Sequence, residues 1–382
     1  MKKVFIVTGE LSGDLHASKV VRELKQMIPD IEIVAVGGKN LQAEGVKLFS
    51  DHSKMNVVGL DALKAIASHI NLGKTILDYL KNEFKPDLVL LIDYGGFNLR
   101  LAEVLHKNGI PVYYYISPQI WASRKGRINK IKKFVSKMML ILPFEEEIHK
   151  SAGVNAEYVG HPLISQLPPP ADKGEFIKAN NLDPNKKIVG LFPGSRKNEI
   201  NTLLPIFLQA ANLIHVSSKK VQFCLTQASN IDDSLINKYI QKYDKNNQLD
   251  IRIIKNQNHA ALSCCDAVIL ASGTVTLEAA LYKTSMVVSY KVQSIVYFLY
   301  LMLRYIEFLS LPNIIAGKKI VEEMLQYRAK PDLIASEILS ILHNCDKREE
   351  ILQNLSQLRE KLGNKVAAYE VAKNISEFLA SK

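Results

Sequence analysis

Two successive α/β domains, each a doubly wound parallel sheet of the Rossmann type, are what this sequence predicts. Three observations carry that reading. Short unbroken apolar runs, such as VFIV at 4–7, LVLLI at 88–92 and VIL at 268–270, have the length and all-round hydrophobicity of parallel strands buried on both faces. Each run ends in a turn of small or acidic residues that leads into an amphipathic helix. The same grammar restarts after residues 166–172, where Pro168-Pro169-Pro170 reads as a linker. A chain of 382 residues also exceeds what one core ordinarily serves.

The first half opens with the strand 4–7, a turn at 8–14 (TGELSGD) and a helix to about Met27. The turn lacks GxGxxG, so a dinucleotide is not implied. Glu10 belongs above the sheet, where doubly wound folds place their ligands. Asp14 reads as a charge at a helix start. A second strand covers 31–36. Residues 55–79 mix apolar positions at helical spacing, mainly core, with an exposed apolar face as the other reading. The strand 88–92 ends at Asp93, and YGGFN turns into the next helix. A carboxylate at the carboxyl end of a central strand faces the crevice and, if partly desolvated, is a natural general base; a helix cap or loop anchor is the other reading. After the strand 112–116 comes SPQIWASR, then a helix in which Lys125, Arg127, Lys130, Lys132, Lys133 and Lys137 interleave with apolar residues. That density of charge suits an anionic membrane surface or a phosphate, or is a solvated face. Without aromatic stacking motifs, nucleic acid is not expected.

In the second half, strands are expected at 188–192, 221–226, 251–254, 267–270 and 286–289. The first runs into PGSRKNEI. Gly194 admits a close backbone approach, Ser195 caps, the helix-start amides attract an anion, and the Arg196 fork suits a diphosphate. The fourth runs into ASGTVTLE. There Ser272, Gly273 and Thr274 form a second phosphate cradle, and Glu278, a turn into the helix, can accept two ribose hydroxyls. A capping box that spends this carboxylate locally is the plainer reading. The segment 294–310, SIVYFLYLMLRYIEFLS, is the most apolar; Arg304 and Glu307 argue against a membrane span. It is a core helix or an interfacial patch.

The totals narrow the class. A hydrophobic share of 47% with 23% charged residues is that of a folded globular protein. The formal charge of +11 points to an anionic partner, or to a Lys-rich proteome. Cys224, Cys264, Cys265 and Cys345 contain no CxxC pair, so neither a zinc site nor a disulfide framework is expected. No cleavable signal pattern is read at the N-terminus.

Taken in order, GExSGD (9–14), IDxxxFN (92–98), ISPQIWA (116–122), PFE (143–145), VGHP (159–162), PGSRxxEI (193–200), ASGTxTLE (271–278) and SLPNIIAG (310–317) span the chain. Together they closely resemble the bacterial lipid A disaccharide synthases. The resemblance implies a GT-B fold with two facing Rossmann-like domains: 1–166 on the acceptor and membrane side, with about 350–382 packing back, and 173–349 binding the UDP-sugar. It implies an inverting transfer from UDP-2,3-diacylglucosamine to 2,3-diacylglucosamine 1-phosphate, giving a β-1,6-linked disaccharide 1-phosphate and UDP. The catalytic candidates are then Asp93 and, second, Glu10. Gly194, Ser195, Arg196, Glu199, Ser272, Gly273, Thr274, Glu278, Asn313 and Gln326 fall to UDP and substrate, and Ser12, Asn98, Ser117 and Trp121 to the acceptor side. No metal and no cofactor are implied. The partners are acylated glucosamine lipids and UDP, with peripheral contact at the cytoplasmic face of the inner membrane of a Gram-negative cell and a homodimer. The chain departs from the family pattern in carrying Tyr94-Gly95-Gly96 where a proline and a further acid are common, Ser123 after Trp121-Ala122, and Ala17 in place of a glycine. Other classes share parts of the pattern: a UDP-N-acetylglucosamine 2-epimerase, a peptidoglycan-precursor transferase, or a nucleotide-sugar-binding protein without catalysis.

Overall fold

A computed structural model describes residues 1–51, 62–122, 125–244, 248–291 and 307–382, with side chains from 69 onward in the helix that begins at 62. Most of the apolar segment 294–310, the start of 55–79, and Ser123 and Arg124 lie outside the described residues. The chain forms two compact units: Met1–Ser165 with Leu362–Lys382, and Gln166–Lys361.

The first unit is built on seven strands: β1 (Lys3–Thr8), β2 (Glu32–Gly37), β3 (Lys47–Asp51), β4 (Leu88–Ile92), β5 (Val112–Tyr115), β6 (Lys137–Leu140) and β7 (Ala156–Tyr158). They lie in the order β3-β2-β1-β4-β5-β6-β7, every pair parallel. The order reverses between β1 and β4, the switch point at which such sheets bind ligands. The helices are α1 (Leu11–Met27), α2 (Lys39–Ala43), α3 (Ala62–Tyr79), α4 (Gly95–Lys107), α5 (Arg127–Phe134), α6 (Pro143–Ser151) and the short α7 (Leu163–Gln166). Strand alternation divides the core into two layers. Phe5 and Val7 pack with Ile76, Phe97 and Leu101 on one face, while Val4 and Ile6 pack with Val20, Leu24, Val371 and Ile375 on the other. The second layer brings in the C-terminal helix, Ala367–Ala380. Tyr158 anchors that returning segment, its hydroxyl donating to the Leu362 carbonyl at 2.8 Å while Lys365 donates to the Tyr158 carbonyl at 2.9 Å.

Asp14 differs from the reading as a charge for its own helix. It is fully buried, and its carboxylate accepts the backbone N–H groups of Gly38 (2.6 Å), Asn40 (2.9 Å) and Leu41 (3.4 Å) at the start of α2. It therefore ties α1 to the turn after β2.

The second unit repeats the plan. It comprises α8 (Lys173–Ala179), β8 (Lys187–Phe192), α9 (Lys197–Ser217), β9 (Val221–Gln227), α10 (Asp233–Tyr243), β10 (Ile251–Lys255), α11 (Asn258–Cys264), β11 (Ala267–Ala271), α12 (Thr274–Leu281), β12 (Met286–Tyr290), α13 (Leu311–Ala316), β13 (Glu322–Leu325), α14 (Pro331–His343) and α15 (Cys345–Leu362). Its sheet is parallel, in the order β10-β9-β8-β11-β12-β13. The edge strand β13 has no counterpart among the expected strands. Its sequence, EEML, carries two acids and only one fully buried residue, so no apolar run marks it. Helix α9 is long and apolar enough to cross a membrane by composition, but Leu203, Leu204, Phe207, Leu208, Ala211 and Ile214 are buried in this unit. Cys224, Cys264 and Cys265 are buried and unpaired.

Replacing Asp14 with alanine strands three amides that the carboxylate now satisfies. Urea unfolding of Asp14→Ala is expected to show a loss of about 3 kcal/mol. A loss under about 1 kcal/mol would contradict the bridging role.

Candidate active site

The carboxyl edge of the first sheet is strained where β4 ends. Asp93 (φ 50°) and Tyr94 (φ 49°) both take the left-handed conformation, which costs an L-residue about 1–2 kcal/mol. Such strain persists only where the surroundings over-determine it. Here the Asp93 N–H donates to the Tyr115 carbonyl at 2.9 Å. The Asp93 carbonyl accepts from the Tyr114 hydroxyl at 2.5 Å and from Asn98 Nδ2 at 2.9 Å, and Asn98 Nδ2 also reaches the Ile92 carbonyl at 3.2 Å. With the main chain pinned, the carboxyl group is left half-buried. Burial raises its pKa above the ordinary carboxylate value, against the pull of the Tyr94 N–H, and the neighbouring negative charge of Glu10 raises it further.

Glu10 is exposed at the start of α1. The loops after β1 and β4 meet because residue 9 is glycine: a β-carbon there would fall 2.1 Å from the Tyr94 ring. Beyond that ring the Tyr94 hydroxyl pairs with His69 Nε2 at 3.0 Å. Ser12 is exposed on the first turn of α1.

In the second unit, the loops after β8, β9, β10 and β11 surround a cleft of about 320 Å³ at the switch point of that sheet. Gly194, Ser195, Arg196, Glu199, Ser272, Gly273, Thr274 and Glu278 all line it, with Phe192, Thr226, Ala228 and Asn258. Glu199 also braces its own loop. Its Oε2 accepts the Ser195 N–H at 3.0 Å and the Arg196 N–H at 3.1 Å, while Oε1 pairs with Arg196 Nη1 at 2.7 Å. Gly194, at φ +106°, lets that carboxylate in, since a β-carbon would lie 2.3 Å from Oε2. The amides expected to hold an anion are thus held by the chain's own glutamate, and Arg196 extends from this brace with 80% of its side chain exposed. The start of α12 differs: no side chain caps it among the described residues. Glu278 is not spent on a capping box. It lies on the cleft wall, its pKa raised by burial and opposed by His259, whose Nε2 is 3.7 Å away.

A family model described as Lipid-A-disaccharide synthetase matches residues 4–378. The lipid-A-disaccharide synthase of Syntrophus aciditrophicus is 42% identical over 374 residues, 97% of this chain and 96% of that one. The Coxiella burnetii lipid-A-disaccharide synthase is 39% identical over 381 residues, 100% and 99% of the two chains. The chain belongs to the lipid-A-disaccharide synthase family. It is therefore an enzyme, a glycosyltransferase of lipid A biosynthesis. Among solved structures, UDP-GlcNAc 2-epimerase from Neisseria meningitidis bound to UDP-GlcNAc aligns over 100% of both chains with TM-score 0.62 at 14% identity. The glycotransferase of kitacinnamycin aligns over 98% of both with TM-score 0.64 at 12% identity. At these identities the likeness concerns the GT-B fold alone.

Several polar positions of the synthase motifs are turned inward. Ser117 and Trp121, expected on the acceptor side, are 5% and 8% exposed. Trp121 Nε1 donates to Glu145 Oε1 at 2.9 Å, Ser117 Oγ pairs with His149 Nε2 at 3.1 Å, and His149 Nδ1 bonds the Glu145 carbonyl at 2.8 Å. The ISPQIWA loop is thereby fastened to α6, which the PFE motif begins. Burial pushes the Glu145 carboxyl up to about 7 against the two N–H donors, Trp121 and Leu142, that favour its ionised form. Asn98 serves the Asp93 carbonyl, as described. Asn313 is fully buried: Oδ1 accepts from Ile320 and Val321 N–H at 2.7 and 3.0 Å, and Nδ2 donates to Glu323 at 2.8 Å. Gln326 is buried in a left-handed turn after β13. Neither Asn313 nor Gln326 lines the described cleft. Among the described residues, no group of three or more His, Cys, Asp or Glu is arranged to hold a metal ion.

Trp121→Phe removes one donor to Glu145, so its carboxyl titrates above 7. A carboxyl that holds its proton more tightly folded than unfolded makes stability fall as pH rises from its ordinary 4.5 through its folded value. In the variant that fall extends to higher pH. Urea unfolding from about pH 5 to about pH 9 checks it, and parallel stability curves for the two proteins would refute it.

Proposed function

We propose that the chain transfers 2,3-diacylglucosamine from its UDP derivative to the 6-hydroxyl of 2,3-diacylglucosamine 1-phosphate. The products are a β-1,6-linked disaccharide 1-phosphate and UDP. The observation that carries the reading is the end-to-end match to lipid-A-disaccharide synthases, with polar loops at the switch points of both sheets. In this reading the first unit takes the acceptor and the second the UDP-sugar. The enzyme works as a homodimer, peripherally, at the cytoplasmic face of the inner membrane.

An α-linked donor that gives a β product needs a single in-line displacement. The acceptor hydroxyl loses its proton as its oxygen attacks the anomeric carbon, and the bond to UDP breaks. Asp93 is the base: its desolvation raises its proton affinity, and its pinned backbone fixes its position. Glu10 orients the acceptor and helps hold the Asp93 carboxyl above the ordinary range. The departing diphosphate gains negative charge. Arg196, held by Glu199, meets it with a forked cation, and the uncapped start of α12 meets it with amides. Glu278 accepts the ribose hydroxyls.

A transfer assay in mixed micelles containing a chelator tests the reading, following disaccharide and UDP in equal amounts. Asp93→Asn is expected to lower transfer about 100-fold or more while leaving the Kd for UDP unchanged. Arg196→Ala is expected to weaken UDP about tenfold. Undiminished transfer by Asp93→Asn would remove the base assignment. An unchanged UDP Kd in Arg196→Ala would remove the role of the 193–200 motif. UDP binding without transfer to the acylated acceptor would move the activity to another acceptor.

A further inference from the structure

Glu278 stands in an unusual position for a group asked to accept two hydroxyl hydrogens. Its side chain is 19% exposed, on the wall of the cleft, and the ionised form, with both oxygens purely acceptors, receives a pair of hydroxyl hydrogens better than the protonated form, in which one oxygen is a donor. The charged and titratable groups around it can be named. Arg196 and Glu199 come from the start of α9, His259 from α11, and Tyr282 from Glu278's own helix. Glu199 already engages the Arg196 guanidinium at 2.7 Å. Among the described residues, His259 is the only basic side chain paired with the Glu278 carboxylate, with Nε2 at 3.7 Å. Its ring is held in turn: it lies against the Tyr282 ring at 6.3 Å between centroids, and the Tyr282 hydroxyl donates to the Pro168 carbonyl at 2.9 Å.

We infer that His259 is a positioning residue for nucleotide recognition: its ring, with Nε2 3.7 Å from Glu278 Oε2, holds that carboxylate in the orientation that a pair of ribose hydroxyls requires. The inference rests on the reading above that Glu278 receives the ribose. His259 itself need not touch the ligand. It is 41% exposed at the end of the pair, so its charge acts through a partly solvated contact and its effect is modest. The sign is fixed. Burial raises the Glu278 pKa and His259 lowers it. Ribose binding that favours the ionised form is strongest above that pKa and weakens as pH falls through it. Removing the cation moves the loss to higher pH.

The test is calorimetric binding of UDP and of 2′-deoxy-UDP from about pH 5 to about pH 8, for the full-length wild type, His259→Ala and His259→Arg. In His259→Ala the acid limb of UDP affinity is expected to move up by about half a pH unit, an approximately threefold weaker Kd on that limb. The preference for UDP over 2′-deoxy-UDP is expected to shrink with it. His259→Arg, which keeps a cation at the position, restores both. A purely structural role for His259 would weaken both nucleotides equally at every pH, and that result overturns the inference. So does a His259→Ala profile superimposable on wild type. Wild type that binds UDP without distinguishing it from 2′-deoxy-UDP overturns the ribose role of Glu278 and this inference with it. Wild type that binds neither removes the nucleotide reading itself.

Discussion

The carbonyl of Asp93 is held from two sides, by the buried hydroxyl of Tyr114 and by the amide of Asn98. Both donors arise from elements that the sheet itself fixes: Tyr114 from β5 and Asn98 from the first turn of α4. Without them, two consecutive left-handed residues would relax, and the carboxyl group would swing away from the loop after β1. The strain of that turn is therefore set against hydrogen bonds made by its own backbone, and among the described residues the carboxylate is engaged by the Tyr94 N–H. A base needs that division. Its position must be fixed by groups that do not consume its lone pairs. The next strand ends under similar strain, with the β-branched Ile116 at φ 67° before Ser117, and there the Ser117–His149 and Trp121–Glu145 contacts supply the restraint.

The second unit reaches a comparable end with glutamates used as braces. Glu199 closes the loop after β8 on itself. Glu323 does the same for the SLPN segment, accepting the Leu309 and Ser310 N–H groups, the Ser310 hydroxyl and Asn313 Nδ2. In both places a carboxylate satisfies backbone donors at a helix start, a charge-assisted arrangement stronger than a neutral cap. Conserving loop shape in this way leaves the cation of Arg196 and the wall residue Glu278 as the polar groups that differ in kind from their surroundings.

Much of the fold was legible because burial on both faces writes itself as unbroken apolar runs. β1, β4, β8 and β11 were found from Val4, Leu88, Ile188 and Val268 onward for that reason, and the loops that follow them could be located at the strand ends. β13 was not legible, because an edge strand with Glu322 and Glu323 has no such run. The site was legible in residue type and less so in direction. Sequence gives no means of telling that Asn98 faces the Asp93 carbonyl, that Trp121 turns to Glu145, or that Asn313 serves Ile320 and Val321, since each partner is fixed by three-dimensional packing. Glu199 is the instructive case. Its spacing to Arg196 is that of a capping box, a local signal, and a carboxylate three residues into a helix more readily serves the helix start than an anionic ligand. The basic stretch 125–137 was also more positive on paper than in space, because Glu103 on α4 engages Lys130 at 3.1 Å as well as Lys107 at 3.0 Å, and Glu157 engages Lys137 at 2.8 Å.

The two units place acids differently after their strands: Asp93 directly follows β4, whereas Glu199 lies in the first turn of α9, after the loop that follows β8. At Asp93, desolvation outweighs the pull of the Tyr94 N–H, and a second acid, Glu10, adds to it; the result is a carboxyl group that holds a proton more readily than an ordinary one. At Glu199 the carboxylate is engaged by two amides and a guanidinium of its own loop. In the proposed reading, an incoming diphosphate would meet the Arg196 guanidinium while one of its nitrogens is already paired with Glu199.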